Sequence, residues 1–204
     1  MSSLRLLLVR HGQTESNVNF VLDSVPPGPS LTELGRRQAS ELAERLAAEP
    51  VTAVYASTAL RAKETAAPVA ARHGLDVRVT DGLHEVFCGD FEGSNRRADI
   101  EAFIGVYRAW HAGDVELPVP GGESGRQLLD RFLPVVSGIR AEHADGVVVL
   151  VGHSAALRLV GCTLASNVDP SLADSHILPN CQWITLEVDG DGWRCLDWAG
   201  LTPR

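Results

Sequence analysis

Two histidines and two arginines of this chain stand where apolar runs give way to polar residues. Arg10 and His11 directly follow a run of leucine and valine, and His153 follows a second run of the same kind. Arg61 comes shortly after a third run. Arginine offers paired N–H donors that match phosphate oxygens, and a neutral imidazole is a competent nucleophile at phosphorus. These residue types predict phosphoryl chemistry, provided that the fold brings them together.

The apolar runs predict the elements that position these residues. They cover residues 4–9, 51–55 and 146–151, and the first and last are continuous, as in strands covered on both faces. Helical patterns fill the intervals between them. These helical segments are 31–50, 57–74, 122–146 and 154–164. The alternation predicts an α/β fold, a three-layer sandwich in which helices flank a mostly parallel central sheet.

Local signals refine the helices. Thr32 is the expected N-cap of the first, and Ser57 and Thr58 are the expected caps of the second. Pro68 is expected to kink or restart that second helix, because proline lacks an N–H donor.

Further strands are expected towards the C-terminus. Asp189-Gly190-Asp191-Gly192 predicts a hairpin between strands at 182–188 and 193–198, and 76–79 has weak strand character. The strand at 182–188 is expected at an edge of the sheet, where it would be free to pair with a second copy. Monomer and homodimer both stay open.

The segment at about 94–122 fits the alternation poorly and predicts a helical, lid-like excursion over one edge of the sheet. Phe103, Tyr107 and Trp110 share one helical face there. Packing of this face on the core is favoured over a role as a substrate lid. The excursion and residues 20–30, with the Pro26–Pro29 insert, are expected to shape the leaving-group pocket.

Composition limits the classes of function. The chain has 204 residues, is 45% hydrophobic and carries a net charge of −8, so we expect one domain (1–204) and no nucleic-acid partner. The absence of a long apolar stretch or a signal-like leader predicts no membrane association and a cytoplasmic location. The cysteines lack paired spacing and are expected to be reduced core thiols. They are Cys88, Cys162, Cys181 and Cys195.

The predicted topology places the two histidines and two arginines at the same edge of the sheet. Ligands of open α/β sheets bind at the carboxyl ends of the strands, where Arg10, His11 and His153 would emerge. Arg61 would lie in the first turn of the following helix. Two arginines, two imidazoles and a helix N-terminus suit a phosphoryl dianion.

Five blocks of sequence, in this order, resemble the motifs of the histidine phosphatase superfamily, the phosphoglycerate mutase-like proteins. The first is Leu8-Val9-Arg10-His11-Gly12-Gln13-Thr14. The others lie at 30–39, 57–66, 83–93 and 151–154. The resemblance spans nearly the whole chain, points to the phosphatase branch, and implies the phosphoglycerate mutase-like form of the α/β fold.

The resemblance implies a role for each matching residue. His11 would be the nucleophile that forms a phosphohistidine intermediate. Arg10, Arg61 and His153 would hold the phosphoryl oxygens. Glu85 would be the general acid that protonates the leaving group and then the base that activates water.

Physical chemistry supports the role of His11, and a second carboxylate is an alternative to Glu85. His11 must be unprotonated to attack, and the neighbouring arginines favour that form by charge repulsion. Glu92 lies seven residues beyond Glu85 and is the rival carboxylate. The match favours Glu85 and assigns Glu92 to a structural turn.

Four further residues are expected to contact substrate by resemblance. Asn17 matches a polar pocket residue, and Gln13 stands in the first motif. Ser154 is expected chiefly as a helix cap. His84 stands where family members often carry arginine, which removes a fixed cation from the pocket rim.

The leading hypothesis is therefore a metal-independent phosphatase without a cofactor that hydrolyses a small phosphorylated metabolite. Phosphoryl transfer of the cofactor-dependent phosphoglycerate mutase type is the alternative. The compact interval between Glu85 and His153 disfavours it, because mutases carry a long insertion there. A serine hydrolase built on Ser154 is a weaker alternative, since the motif around it lacks its last glycine. A non-catalytic phospholigand-binding protein on the same scaffold is the remaining one.

Overall fold

The computed structural model of the protein describes residues 3–203. The strands are β1 (Arg5–Arg10), β2 (Val51–Ala56), β3 (Val77–Val79), β4 (Val147–Gly152), β5 (Trp183–Asp189) and β6 (Gly192–Trp198). They form a six-stranded sheet in the order β3-β2-β4-β1-β5-β6. The β3-β2-β4-β1 part is parallel, and β5 runs antiparallel to both of its neighbours. The expected mostly parallel sheet is confirmed.

Seven helices connect the described strands. They are α1 (Glu15–Val18), α2 (Glu33–Arg45), α3 (Leu60–Arg72), α4 (Arg97–His111), α5 (Gly125–Glu142), α6 (Ser154–Leu164) and α7 (Pro170–Ser175). Thr32 caps α2 as predicted, since its side chain accepts the Gly35 N–H. Ser124 and Gln127 form a capping box at the start of α5.

The helices bury opposite faces of the sheet, because successive side chains of a strand point to opposite sides. In β1, Leu7 and Val9 pack with side chains of α2 and α3. Leu6 and Leu8 pack with side chains of α4, α5 and α6. The result is the expected three-layer α/β sandwich, with the sheet in the middle.

The expected edge position of β5 and the expected N-caps of α3 are both wrong. The strand β5 does not lie at an edge, because β6 pairs along its far side. The N-cap of α3 is Ala59 and has no side-chain cap bond. Ser57 and Thr58 do not cap α3, because the Ser57 hydroxyl bonds to His153 and Thr58 precedes the cap.

Pro68 does not restart the helix either. The helix α3 continues through it from Leu60 to Arg72. Buried contacts on both sides of Pro68, from Ala66, Val69 and Ala70, hold α3 against the sheet. This packing outweighs the loss of one backbone hydrogen bond.

The excursion consists mainly of α4. Two residues of its aromatic face are buried in the core, and the third is only partly buried. Tyr107 and Trp110 are buried in the core, as expected. The Trp110 indole N–H donates to the Leu117 carbonyl (2.7 Å), which ties the segment after α4 back to the helix. Phe103 is only partly buried and lies one turn nearer to the site.

Cys88, Cys181 and Cys195 are buried, and Cys162 is half-buried. All four cysteines are free, and burial raises the pKa of Cys88, Cys181 and Cys195 to about 12, so these thiols stay protonated at neutral pH. Within residues 3–203, no helix has both the length and the hydropathy to cross a bilayer.

The loop after β1 packs directly on the backbone of α2, and this contact requires glycine. A Cβ on Gly12 would lie 2.7 Å from the Gly35 carbonyl oxygen, and a Cβ on Gly35 would overlap the Gln13 carbonyl. We expect Gly35→Ala to lower the free energy of unfolding by about 1–3 kcal/mol, because backbone must move to admit the methyl group. Urea unfolding measures this change.

Gly105 is the matched control for that substitution. It lies inside α4, and a Cβ there would meet no atom within 4 Å. Gly105→Ala should raise stability by about 0.5–1 kcal/mol through helix propensity. Equal effects of the two substitutions would contradict the close contact between α2 and the loop.

Candidate active site

The register between β1 and β4 brings two histidines side by side. Arg10 pairs with Gly152, and the His11 N–H donates to the Gly152 carbonyl (3.0 Å). His11 and His153 each follow the last residue of their strand, so both rings emerge at the carboxyl edge. Their centroids are 5.3 Å apart, and both side chains are buried.

The hydrogen bonding of His11 fixes which nitrogen carries its lone pair. Nδ1 lies 2.7 Å from the Gly12 carbonyl oxygen, which is an acceptor only, so Nδ1 carries the hydrogen. Burial lowers the pKa of His11 well below 6.5, and the charges of Arg61 and Arg10 lower it further. The neutral ring therefore presents an unprotonated Nε2.

His153 is held in the complementary way. Its Nε2 lies 2.8 Å from the Ser57 hydroxyl, and that hydroxyl accepts the Ala59 N–H (3.2 Å). This pattern favours donation from Ser57 to Nε2, with the ring hydrogen on Nδ1. Burial and then Arg61 and His11 lower the pKa of His153 well below 6.5. Nδ1 is buried and has no hydrogen-bond partner among the described residues.

Arg10 and Arg61 bring the positive charge. Arg10 donates to the Leu178 carbonyl (2.8 Å) and Arg61 to the Asp23 carbonyl (3.0 Å). Burial is the largest cause that lowers the pKa of each arginine. Within residues 3–203, Arg10 Nε and Arg61 Nη1 are buried without a hydrogen-bond partner. Both guanidinium groups thus keep donors for a ligand.

The Pro26–Pro29 insert covers Arg61. A Cβ on Gly28 would overlap Arg61 Nη1, and the positive φ of Gly28 (63°) also favours glycine there. The Asp23 carboxylate approaches the same nitrogen at 3.6 Å. Arg61 is consequently 2% exposed, and its charge interacts with the site rather than with solvent.

Glu85 lies at the N-terminus of α6. Its Oε1 accepts the N–H groups of Ala156 (2.9 Å) and Val86 (2.9 Å), and its Oε2 accepts that of Ala155 (3.1 Å). The Ala155 and Ala156 N–H groups belong to the first turn of α6, which leaves them without intrahelical partners, and Glu85 accepts both. Oε2 keeps the larger free capacity for hydrogen bonding.

The Arg131 side chain holds the backbone that carries Glu85. Its guanidinium donates to the carbonyl oxygens of Gly82 (2.7 Å), His84 (2.9 Å) and Glu85 (3.0 Å). Its other two N–H groups bind both carboxylate oxygens of Glu123, at 2.6 and 3.0 Å. The five donors of Arg131 are therefore all used inside the protein.

Glu92 has a different environment from Glu85. Its carboxylate accepts the N–H groups of Ser24 (2.8 Å) and Val25 (3.2 Å) and the hydroxyl of Ser24. It does not line the pocket around the histidines. Glu92 thus holds the loop at residues 24 and 25, in agreement with the structural interpretation of its turn.

A pocket of about 120 Å³ lies between these groups. Five of the residues predicted from the sequence line it together: Arg10, His11, Arg61, Glu85 and His153. The arrangement combines an unprotonated nitrogen, buried cations and a carboxylate around a space fit for a small anion.

The four residues expected to contact substrate separate into two pairs. Asn17 and Ser154 line the pocket, whereas Gln13 and His84 do not. Gln13 lies in the adjoining groove, and its Oε1 accepts the Thr32 hydroxyl (2.9 Å). The His84 ring lies near Asp81 (Nδ1–Oδ1, 3.7 Å).

Sequence reasoning missed three contributors. Phe103 lines the pocket, although its whole face was expected to pack on the core. Asp23 lies beside Arg61, and nothing in its local sequence indicates that. Arg131 lies on α5, and the helical pattern that predicts α5 does not indicate which loop the Arg131 side chain binds.

Comparison with known proteins identifies the family. The model of the histidine phosphatase superfamily (branch 1) matches residues 6–200. A glucosyl-3-phosphoglycerate phosphatase of Mycolicibacterium vanbaalenii is 32% identical over 201 residues, which cover 92% of this chain and 87% of the relative. A solved mycobacterial glucosyl-3-phosphoglycerate phosphatase has 30% identity and a TM-score of 0.80, covering 97% of this chain and 99% of that one.

One relative is much longer than this chain. A PE-PGRS family protein of Mycobacterium tuberculosis is 31% identical over 223 residues, which cover 98% of this chain and 37% of the relative. The chain thus spans a little over a third of that protein's length.

The chain belongs to the histidine phosphatase superfamily. This membership confirms the resemblance found in the sequence and the expected class of enzyme, a histidine phosphatase.

The buried neutral histidines predict a loss of stability in acid. The pKa values of His11 and His153 are lowered in the folded protein, whereas unfolded imidazoles bind protons below about pH 6.5. The unfolded state therefore gains protons that the folded state does not. Between pH 7.5 and 5.5, each histidine should lower the free energy of unfolding by about 1–1.5 kcal/mol.

Urea unfolding at the two pH values measures this fall. His153→Gln should reduce the fall in the free energy of unfolding by the contribution of one histidine. His176→Gln, which changes an exposed ring, should show the same fall as the unsubstituted protein. An identical fall in the His153→Gln variant would show that His153 is not buried neutral.

Proposed function

We propose that the protein is a metal-independent phosphatase that hydrolyses a small phosphomonoester through a phosphohistidine on His11. The observation that carries the proposal is the unprotonated Nε2 of His11 in a pocket whose buried arginines keep free donors. No group of three or more His, Cys, Asp or Glu side chains within residues 3–203 has an arrangement that would hold a metal ion. The protein's own cations therefore stabilise the negative charge of the phosphoryl group.

In the first step, His11 Nε2 attacks phosphorus and the bond from phosphorus to the ester oxygen breaks. The Gly12 carbonyl stabilises the positive charge that develops on the ring, because it accepts the Nδ1 hydrogen. Arg10, Arg61 and His153 Nδ1 donate to the phosphoryl oxygens as charge spreads over them.

Glu85 transfers the protons in both steps. Its protonated carboxyl group gives a hydrogen to the leaving alkoxide, which departs as an alcohol. The resulting carboxylate takes a proton from water, whose oxygen attacks the phosphohistidine. The bond from phosphorus to Nε2 then breaks, and inorganic phosphate leaves with His11 neutral again.

The relatives support hydrolysis as the outcome. Two of the similar proteins are named as phosphatases of glucosyl-3-phosphoglycerate, a small phosphorylated compound. A small phosphorylated metabolite is accordingly the proposed substrate of this chain. Mutase-type transfer would be shown by isomerised product from 3-phosphoglycerate in the presence of its bisphosphate, with little phosphate released.

Substitution of Glu85 tests the proton transfer. Glu85→Gln should lower kcat/KM for alkyl phosphates by about 10²–10⁴-fold, because the alkoxide then leaves without a proton. The loss should be far smaller for 4-nitrophenyl phosphate, whose leaving group needs none. Phosphate release in EDTA measures both.

Two variants serve as controls in that assay. His11→Ala should abolish release from every ester, and Glu92→Gln should keep the ratio of alkyl to aryl activity of the unsubstituted enzyme. Equal losses for both esters in Glu85→Gln would refute the acid role, and release that disappears in EDTA would refute metal independence.

Substitution of Arg131 tests how Glu85 is positioned. Arg131 and Glu123 hold the backbone on both sides of Glu85, since Glu123 also accepts the Phe87 N–H (2.9 Å). Arg131→Gln should lower kcat for alkyl phosphates about tenfold or more, with a smaller effect on 4-nitrophenyl phosphate, because misplacement of Glu85 impairs proton transfer.

Arg126→Gln is the matched control, since Arg126 lies on the same helix and pairs with Glu116 at the surface. A purely structural role for Arg131 would lower the unfolding temperature while leaving the ratio between the two esters unchanged. That result would remove Arg131 from the positioning of Glu85.

A further inference from the structure

A groove of about 430 Å³ adjoins the pocket of the histidines. The two cavities share five lining residues: Arg10, Ser16, Asn17, Val21 and Leu22. The groove extends from this shared wall between the end of α1 and the chain around residue 177. A group attached to a phosphoryl group in the pocket would therefore lie next to the groove.

The pocket and the groove differ in volume and suit different parts of a substrate. Sites for small organic ligands usually measure about 300–1,000 Å³. The pocket, at about 120 Å³, lies below that range, whereas the groove lies within it. The pocket has room for a phosphoryl group, and the groove has room for the group attached to it.

The walls that belong to the groove alone are mainly apolar. Phe20, Ile100 and Ile177 line it, and Phe20 and Ile177 are 76% and 67% exposed. Phe20 also has a positive φ of 53°, an unfavourable conformation for a bulky side chain. Large apolar side chains that remain this exposed beside a cavity are typical of ligand-binding surfaces.

Several polar side chains of the groove form hydrogen bonds within the protein. The Ser16 hydroxyl donates to Asp23 (2.7 Å), and Asn180 Nδ2 donates to the His11 carbonyl (2.8 Å). Gln13 Oε1 accepts the Thr32 hydroxyl. One polar atom of each of these three side chains is thus engaged within the protein.

The groove also lacks a cation of its own. Arg10 is the one charged residue among the described residues that line it, and it belongs to the phosphoryl pocket as well. Arg96 and Arg97 lie at the start of α4 but pair with Asp99 and Glu101. A second anionic group on the substrate would therefore compete with the phosphoryl group for Arg10.

We propose that this groove binds an uncharged, predominantly apolar leaving group, such as an arylalkyl alcohol, of the phosphomonoester. The inference rests on the proposed phosphatase function and narrows its substrate class. It predicts discrimination against leaving groups that carry a carboxylate.

Three esters with primary alkoxide leaving groups separate binding from reactivity. They are ethyl phosphate, 2-phenylethyl phosphate and 2-(4-carboxyphenyl)ethyl phosphate. Burial of the phenyl ring should raise kcat/KM about tenfold or more over ethyl phosphate, and the carboxylate should remove most of that gain. A carboxylated ester that reacts as well as the phenyl ester, or better, would overturn the proposal.

Variants of the apolar walls locate the effect in the groove. Phe20→Gly and Ile177→Ala should each lower, several-fold, the ratio of kcat/KM for the phenyl ester to kcat/KM for ethyl phosphate. Val18→Ala is the matched control, because Val18 is an exposed apolar residue of the neighbouring α1 that does not line the groove. An unchanged phenyl advantage in both groove variants would also overturn the proposal.

Binding of phosphonates keeps the test independent of catalysis. Calorimetry would compare 3-phenylpropylphosphonate with propylphosphonate on the unsubstituted protein and on Phe20→Gly. Tighter binding of the phenyl compound, lost in Phe20→Gly, supports the groove even if no ester is hydrolysed, which would refute the proposed function alone. Equal affinities refute the groove proposal even if hydrolysis depends on His11.

Discussion

The pairing of β1 with β4 places Arg10, His11 and His153 together at one edge of the sheet. Because Arg10 lies opposite Gly152, the next residue of each strand is a histidine, and the two rings share one edge of the sheet. β2 continues the register, so that the Ser57 N–H binds the Val151 carbonyl and its hydroxyl reaches His153. A slip of this register by one residue would reverse the faces of the buried strands and separate the histidines.

Burial then gives these side chains their electrostatic character. Two guanidinium groups in a low-dielectric site raise the free-energy cost of any further positive charge, and the imidazoles respond by staying neutral. The backbone carbonyls of Leu178 and Asp23 offset part of the cost of burying the arginines. The fold thus keeps a neutral imidazole and two cations together in one small volume, where water does not screen their charges.

Local sequence predicted the elements that follow from short-range rules. The apolar runs located β1, β2 and β4 to within one or two residues, and the segment 154–164 is the observed α6. Long-range contacts were less accessible: the predicted hairpin of β5 and β6 joins the sheet through pairing of β5 with β1, and Ser57 bonds to a histidine 96 residues away. Phe103 and Arg131 show the same limit, since helical periodicity identifies a face but not the loop or cavity beside it.

Three buried donors of the pocket, Arg10 Nε, Arg61 Nη1 and His153 Nδ1, have no partner within residues 3–203, which has a kinetic consequence. Each carries a desolvation cost of about 1–3 kcal/mol that an oxyanion relieves. Inorganic phosphate presents the same oxygens as the group transferred to His11, so in the proposed mechanism the product competes for the site that formed it. In a phosphate-rich medium, turnover would then be limited by the fraction of pockets that this ion occupies.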